Sequence, residues 1–231
     1  GGLGPFHERL VGRMVAKGYE PDFAERIFKQ IQGFGEYGFP ESHAASFALL
    51  VYVSAWLKCH HPDAFLAALL NSQPMGFYAP AQLVRDAREH GVQVLPVDVN
   101  CSAWDSEPVA DHAAGTGPLL RAVRLGFSRI SGLAQDAAQR LLAARAERPF
   151  ASPEDLARRA QLDAHQLALL AQADALRPLS GHRHQAAWAV AGVDTRASTL
   201  LRDTRTHEVM ATLAAPGVAD NLLAEYRANG L

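Results

Sequence analysis

Between Ala134 and Ala191 the sequence divides into four short segments of helical apolar spacing, Ala134–Ala146, Pro153–Ala160, Ala164–Gln172 and His182–Ala191. The connections between them contain Gly, Pro or Asp. Each segment is short. Upstream the same punctuation continues. Pro5–Lys17 carries Phe6, Leu10, Met14 and Val15 at helical spacing and stops at Gly18. Glu20-Pro21 opens a second helix with the stripe Phe23, Ile27, Phe28 and Ile31, expected to end at Gly33, where a glycine-rich loop runs to Pro40. Ser42 fits an N-cap for a helix from His43 to about His60 that is apolar nearly all round and therefore expected to be buried. Pro62–Asn71 and Ala81–His90 complete the helices before residue 91, and Val218–Ala228 forms a last amphipathic piece.

Ala and Leu are abundant and β-branched residues sparse, which agrees with a mainly α fold. Strands are expected at Val92–Pro96 and Leu119–Phe127, and the Gly-, Pro-, Ser- and Thr-rich stretch Ser106–Pro118 reads as a surface loop. Cys59 and Cys101 offer no disulfide framework, and a reducing cytoplasm is the simplest setting. The longest apolar run, Ala44–Leu57, is too short and too interrupted to span a bilayer, and no secretory leader is visible. A Gly-Gly start without Met, and an end inside a helical pattern, read as a piece of something longer.

Two stretches carry the functional reading. The first runs Phe34-Gly-Glu-Tyr-Gly-Phe-Pro-Glu-Ser-His-Ala-Ala-Ser-Phe-Ala-Leu-Leu-Val-Tyr52 and is followed by Trp56-Leu-Lys-Cys-His-His-Pro62. It resembles the end of the fingers of C-family bacterial DNA polymerases, the polymerase III α subunit family. Pro40-Glu41, where replicative members usually have Asn-Lys, and Asn71-Ser-Gln-Pro-Met-Gly-Phe-Tyr78 resemble the error-prone branch. The second, Arg129-Ile-Ser-Gly-Leu-Ala134 followed by Ala137, Ala138 and Leu141, resembles a helix-hairpin-helix unit. Gly132 fits its first hairpin glycine, and Ala134 stands where the second would be. A more degenerate unit is expected between Pro153 and Leu176, turning at Gln161-Leu162-Asp163 without glycine. The likeness covers residues 5–190.

The resemblance implies an intact protein that is a DNA-directed DNA polymerase of damage tolerance and translesion synthesis. In it Tyr37, Ser42 and His43 would face the incoming deoxynucleoside triphosphate. A helix N-terminus attracts phosphate and His43 can donate to one, whereas Glu41 should repel it. The alternative for these residues is structural, with Tyr37 and Phe39 anchoring the loop and His43 an exposed first-turn residue. For duplex DNA and primer-template the candidates are Arg129, Gly132, Arg140, Arg145, His182 and Arg183. From Leu119 to Ala160 eight Arg face four acids, while the first 63 residues hold six basic and seven acidic groups. A solvated helical face would show the same charges.

The expected division is residues 1–75 for the end of the fingers, 76–118 for an αβ connector and loop, 119–195 for the hairpin region and 196–231 for a linker toward a further domain. Polymerase chemistry needs paired carboxylates holding Mg²⁺. No Asp-x-Asp occurs here, so those ligands are expected outside the sequence, in the palm, and the chain alone is expected to be inactive. Cys59-His60-His61, Cys101 and His182-x-His184 do not have zinc-site spacing, and neither a phosphate-binding loop nor a dinucleotide fingerprint occurs. No convincing clamp-binding peptide is found between Val190 and Leu231; either it lies further on, or recruitment to a sliding clamp depends on accessory mutagenesis proteins, as the resemblance to the error-prone branch implies. A non-catalytic helix-hairpin-helix adaptor is the alternative reading.

Overall fold

The computed structural model describes residues 6–37, 41–76, 78–113, 120–194 and 211–231. It forms two compact units, residues 1–56 and 57–231. In the first, α1 (His7–Ala16) and α2 (Pro21–Tyr37) make an antiparallel hairpin. Ala24 and Phe28 of α2 are buried, and His7 meets Phe28 edge-on while its Nε2 lies 3.0 Å from Glu25 Oε2. The expected stop at Gly33 does not occur, because α2 continues through Gly33 and Gly35 to Tyr37. A single glycine costs a helix about 1 kcal/mol relative to Ala, which its neighbours can offset.

Helix α3 (Glu41–His60) crosses the boundary between the units. It begins two residues before the expected start, so Ser42 lies inside the helix rather than at its cap. The expected burial is also absent. Phe47, Leu49, Leu50, Val51 and Tyr52 are each at least half exposed. An all-round apolar pattern reports what a helix needs to have covered, and here the described residues do not cover it.

The second unit begins with α4 (Pro62–Asn71) and α5 (Pro80–Glu89), both with Pro in the first turn. Three strands follow, β1 (Val94–Leu95), β2 (Glu107–Ala113) and β3 (Arg121–Arg124), in the order β1-β3-β2. β1 runs parallel and β2 antiparallel to β3. The expected loop over 106–118 is therefore a strand as far as Ala113. Pro108 is tolerated opposite Val123 because β2 is an edge strand. Asn71 grips the start of β2 reciprocally: its Nδ2 donates to Ser106 O at 2.9 Å and its Oδ1 accepts from Ser106 N at 2.8 Å.

Beyond a 3-10 turn at Phe127–Arg129 come α6 (Gln135–Glu147), α7 (Pro153–Ala160), α8 (Ala164–Gln172), the short α9 (Arg177–Ser180) and α10 (Arg183–Ala191), then α11 (Val218–Asn229). Sequence periodicity located all of these except α9, a single turn too short to show a stripe. One core joins sheet and helices, with Val97, Val99, Val123, Phe127, Leu141, Leu156, Leu167 and Leu170 buried together. Residues 92–106 thus belong to the same body as the hairpins. Asn100 ties them, donating from Nδ2 to Phe150 O at 3.1 Å and accepting from Phe150 N at 2.8 Å.

Candidate nucleic-acid interface

The first hairpin is built by Ile130–Ala134. Leu133 N donates to Ile130 O at 3.2 Å, closing a tight turn that puts Gly132 at φ +82°. An L side chain there would be strained, although a Cβ would meet only the Leu169 side chain, at 3.7 Å. Ala134 in extended conformation launches α6 without a side-chain cap, so the first N–H groups of α6 face outward at the positive end of its dipole. Asp136 occupies part of that position. Its carboxylate accepts from Arg140 Nη1 at 3.0 Å and from the Ala137 amide, and both hold it below the usual carboxylate range.

The second hairpin joins α7 to α8. Ser152 caps α7 by accepting from Asp155 N, Gln161 turns the chain at φ 51°, and Asp163 with Gln166 forms a reciprocal capping box on α8. The expected turn at 161–163 is therefore present, with Gln161 taking the left-handed conformation usually left to glycine. A third turn, at Gly181 with φ +83°, leads to His182, whose Nδ1 accepts from Gln185 N as the N-cap of α10.

The arginines counted as a basic patch are largely engaged inside the unit. Arg140 donates from Nε to Ala160 O at 3.2 Å, tying α6 to the second turn. Arg145 donates from Nη1 to Val99 O at 3.2 Å and to Ser102 O at 2.6 Å, and burial lowers its pKa. Arg129, also lowered by burial, donates to Asn229 O at 3.4 Å. Arg148, Arg158 and Arg159 surround the buried Asp155, and Arg124 bonds Pro96 O. Seven of the eight arginines between 119 and 160 thus make internal contacts. Arg183 is only 6% exposed and points inward, with none of its guanidinium nitrogens hydrogen-bonded, on the same side as Asp174, whose pKa is raised by burial. In this geometry Arg183 offers no donor to a ligand outside. Charge in sequence does not reveal such internal pairing; the helix-end carbonyls and the single buried Asp155 that attract these side chains become visible only when the elements are assembled.

Of the nucleotide-facing candidates, Tyr37 is the last residue of α2 and Ser42 lies in the first turn of α3, with both side chains outside the described residues. His43 is exposed, its ring edge-on to Phe47 at 4.4 Å. The glycine and aromatic residues between them, 38–40, are likewise outside the described set. Among the described residues no three His, Cys, Asp or Glu side chains converge. No described helix is long and apolar enough to cross a membrane.

Glycine-led and capped turns presenting helix N-termini over one core define a helix-hairpin-helix module, and the family model described as "Helix-hairpin-helix motif" matches residues 91–186. That span includes the strand β1 and the 98–102 turn, in keeping with the shared core. The whole chain is 54% identical to an error-prone DNA polymerase of Alkalilimnicola ehrlichii and 53% identical to one of Pseudomonas syringae pv. tomato, covering 22% of each. Over 97% of its length it is 57% identical to that of an Azoarcus species, covering 21% of it. The chain is thus similar along its whole length to proteins named error-prone DNA polymerase, and it spans about a fifth of the length of these relatives.

Proposed function

We propose that the chain serves an error-prone DNA-directed DNA polymerase acting past template damage, in which residues 120–191 grip the primer-template duplex and residues 34–60 face the incoming deoxynucleoside triphosphate. The observation that carries the duplex reading is the Gly132 turn at φ +82°, which leads into the exposed first turn of α6, where no side chain caps the helix from the N-cap position and Asp136 takes only part of the dipole's positive end. Backbone N–H groups and a helix dipole suit the phosphates of any sequence, as a polymerase requires. The nucleotide reading rests on the resemblance of the stretch around Tyr37, Ser42 and His43 to polymerase fingers, and is supported by the 54% and 57% identity, over nearly the whole chain, to relatives named as polymerases. The exposed apolar surface of α3 fits it too, since a wall beside a nucleotide must itself be backed by further protein. Paired carboxylates for Mg²⁺ belong elsewhere in the enzyme, and recruitment to a sliding clamp falls to accessory proteins.

Primer extension by the full-length enzyme tests the nucleotide half. Tyr37→Ala with His43→Ala raises the nucleotide KM at least about tenfold, the loss of one good contact of about 1.4 kcal/mol. Unchanged KM and kcat leave only a DNA-holding adaptor.

A further inference from the structure

The residues that the duplex reading assigns to phosphate are already in contact with another part of the chain. Ser131 N, in the first hairpin, donates to Ala228 O at 2.9 Å, and Arg129 Nη2 donates to Asn229 O at 3.4 Å. Both acceptors are last-turn carbonyls of α11, which lack intrahelical partners and carry the negative end of the dipole. At the Gly181 turn the segment before α11 does the same. His182 Nε2 donates to Leu213 O at 3.1 Å, its tautomer fixed because Nδ1 accepts from Gln185 N. His184 Nδ1 donates to Ala214 O at 3.2 Å, and Gln185 pairs with Ala211 O at 2.7 Å and Leu213 N at 3.0 Å. A run of carbonyl oxygens thus lies along the donors of two glycine-led turns, where phosphate oxygens would lie.

The way α11 is docked makes this contact displaceable. Asn221, Ala224, Glu225 and Ala228 line its half-buried side, whereas Val218, Leu222 and Tyr226, spaced one turn apart, are 91%, 64% and 64% exposed. The helix turns its apolar ridge to solvent, and among 218–231 only Ala228 and Leu231 are apolar residues packed against the core, so a small hydrophobic area holds it down. The contact is also imperfectly paired. Ser128 Oγ, Arg129 Nε and Asn229 Oδ1 are buried there without hydrogen bonds, each at a cost that release to water removes.

From these contacts we infer that residues 211–231 form an intramolecular strap that mimics phosphate on the hairpin face and is displaced when duplex DNA binds. This inference rests on the duplex reading above. Opening the strap raises DNA affinity, and DNA in turn frees the apolar ridge of α11 together with its carbonyls.

The test uses the full chain and a fluorescent 20-base-pair duplex, with anisotropy for affinity and amide hydrogen exchange for the strap. Ala224→Glu with Ala228→Glu puts two carboxylates into the docked side. Added negative charge by itself weakens DNA binding, whereas strap release strengthens it, so the sign decides. The expected result is about 3- to 10-fold tighter binding, the gain when a competent fraction of about 0.1–0.3 rises to one. On adding duplex to the parent chain, exchange at 218–229 accelerates while 130–137 becomes protected. Weaker binding by the double variant with unchanged exchange at 218–229 overturns the strap but leaves the duplex reading standing. Failure of parent and variant alike to bind duplex at any salt overturns both.

Discussion

Asp155→Ala removes the carboxylate that three arginines share. In the parent, Arg148 donates to Asp155 from two nitrogens at 3.1 and 2.8 Å, Arg159 from Nη1 at 3.3 Å, and Arg158 lies 3.6 Å away. The Ala151 amide also donates, at 3.3 Å. Arg148 and Arg158 are half exposed and can turn to water once the carboxylate is gone. Arg159, 11% exposed, cannot: it is held over the Phe150 ring and against the carbonyls of Ala144 and Arg148 at the end of α6. Glu147, 3.8 Å from Arg159 Nη2, is solvent-exposed and replaces the lost carboxylate only weakly, so the cost is about 3 kcal/mol, the low end for a broken buried pair, plus about 1 kcal/mol for the orphaned amide. For a chain of this size that lowers the melting temperature by roughly 8–16 °C. Burial, the largest single influence on Asp155, would raise its pKa, but the hydrogen bonds from Arg148, Ala151 and Arg159 together outweigh it and the net shift is downward. A depressed folded pKa means the stabilisation is complete above the unfolded value of about 3.9 and is lost as pH falls through the folded value. The gap in melting temperature between parent and variant, followed by calorimetry, stays constant from pH 7 to about 5 and closes below pH 4. A variant that melts within a degree of the parent at pH 7 would refute the reasoning, because these arginines would then be surface groups free to serve DNA.

Other perturbations read other joints of the same body. Gly126→Ala drives a Cβ into the backbone of Trp104 and Asp105 and destabilises by about 3 kcal/mol or more, seen as a lowered urea midpoint. Asn100→Ala leaves both Phe150 backbone groups unpaired and costs about 2 kcal/mol by the same measurement. If residues 34–60 face a triphosphate as proposed, Glu41→Lys in the full-length protein lowers the nucleotide KM by removing a repelling charge; an unchanged KM in primer extension rules that repulsion out.

Periodicity and punctuation revealed most of the helical architecture because α4, α5, α7 and α8 are marked at their starts, by Pro62, Pro80, Pro153 and Asp163, and Gly91 follows the end of α5. The same signals misplaced α2, where Gly33 and Gly35 looked like a stop but are carried by the rest of the helix. They also missed β2, because a strand rich in Pro, Asp and His is made by its pairing with β3 and not by propensity. The apolar pattern of α3 was legible, but its meaning was not, since a pattern shows that a helix wants covering and not by what. The glycine of the first hairpin was visible as a site feature through the positive φ it permits. The arginines beside it were visible only as charge, and charge does not distinguish Arg159, folded onto helix-end carbonyls, from a side chain free to meet phosphate.

The central claim is that the hairpin face binds duplex DNA through its phosphates. It is tested most directly by titrating the affinity of the full chain for a 20-base-pair duplex against salt, for the parent and for Gly132→Val. Each phosphate contacted contributes about −0.9 to the log–log slope, so the parent gives a slope steeper than about −3. The valine, strained by about 1–2 kcal/mol at a φ it cannot comfortably adopt, weakens binding about tenfold and flattens the slope. A parent slope near zero, or a Gly132→Val variant that binds as the parent does at every salt concentration, would contradict the account.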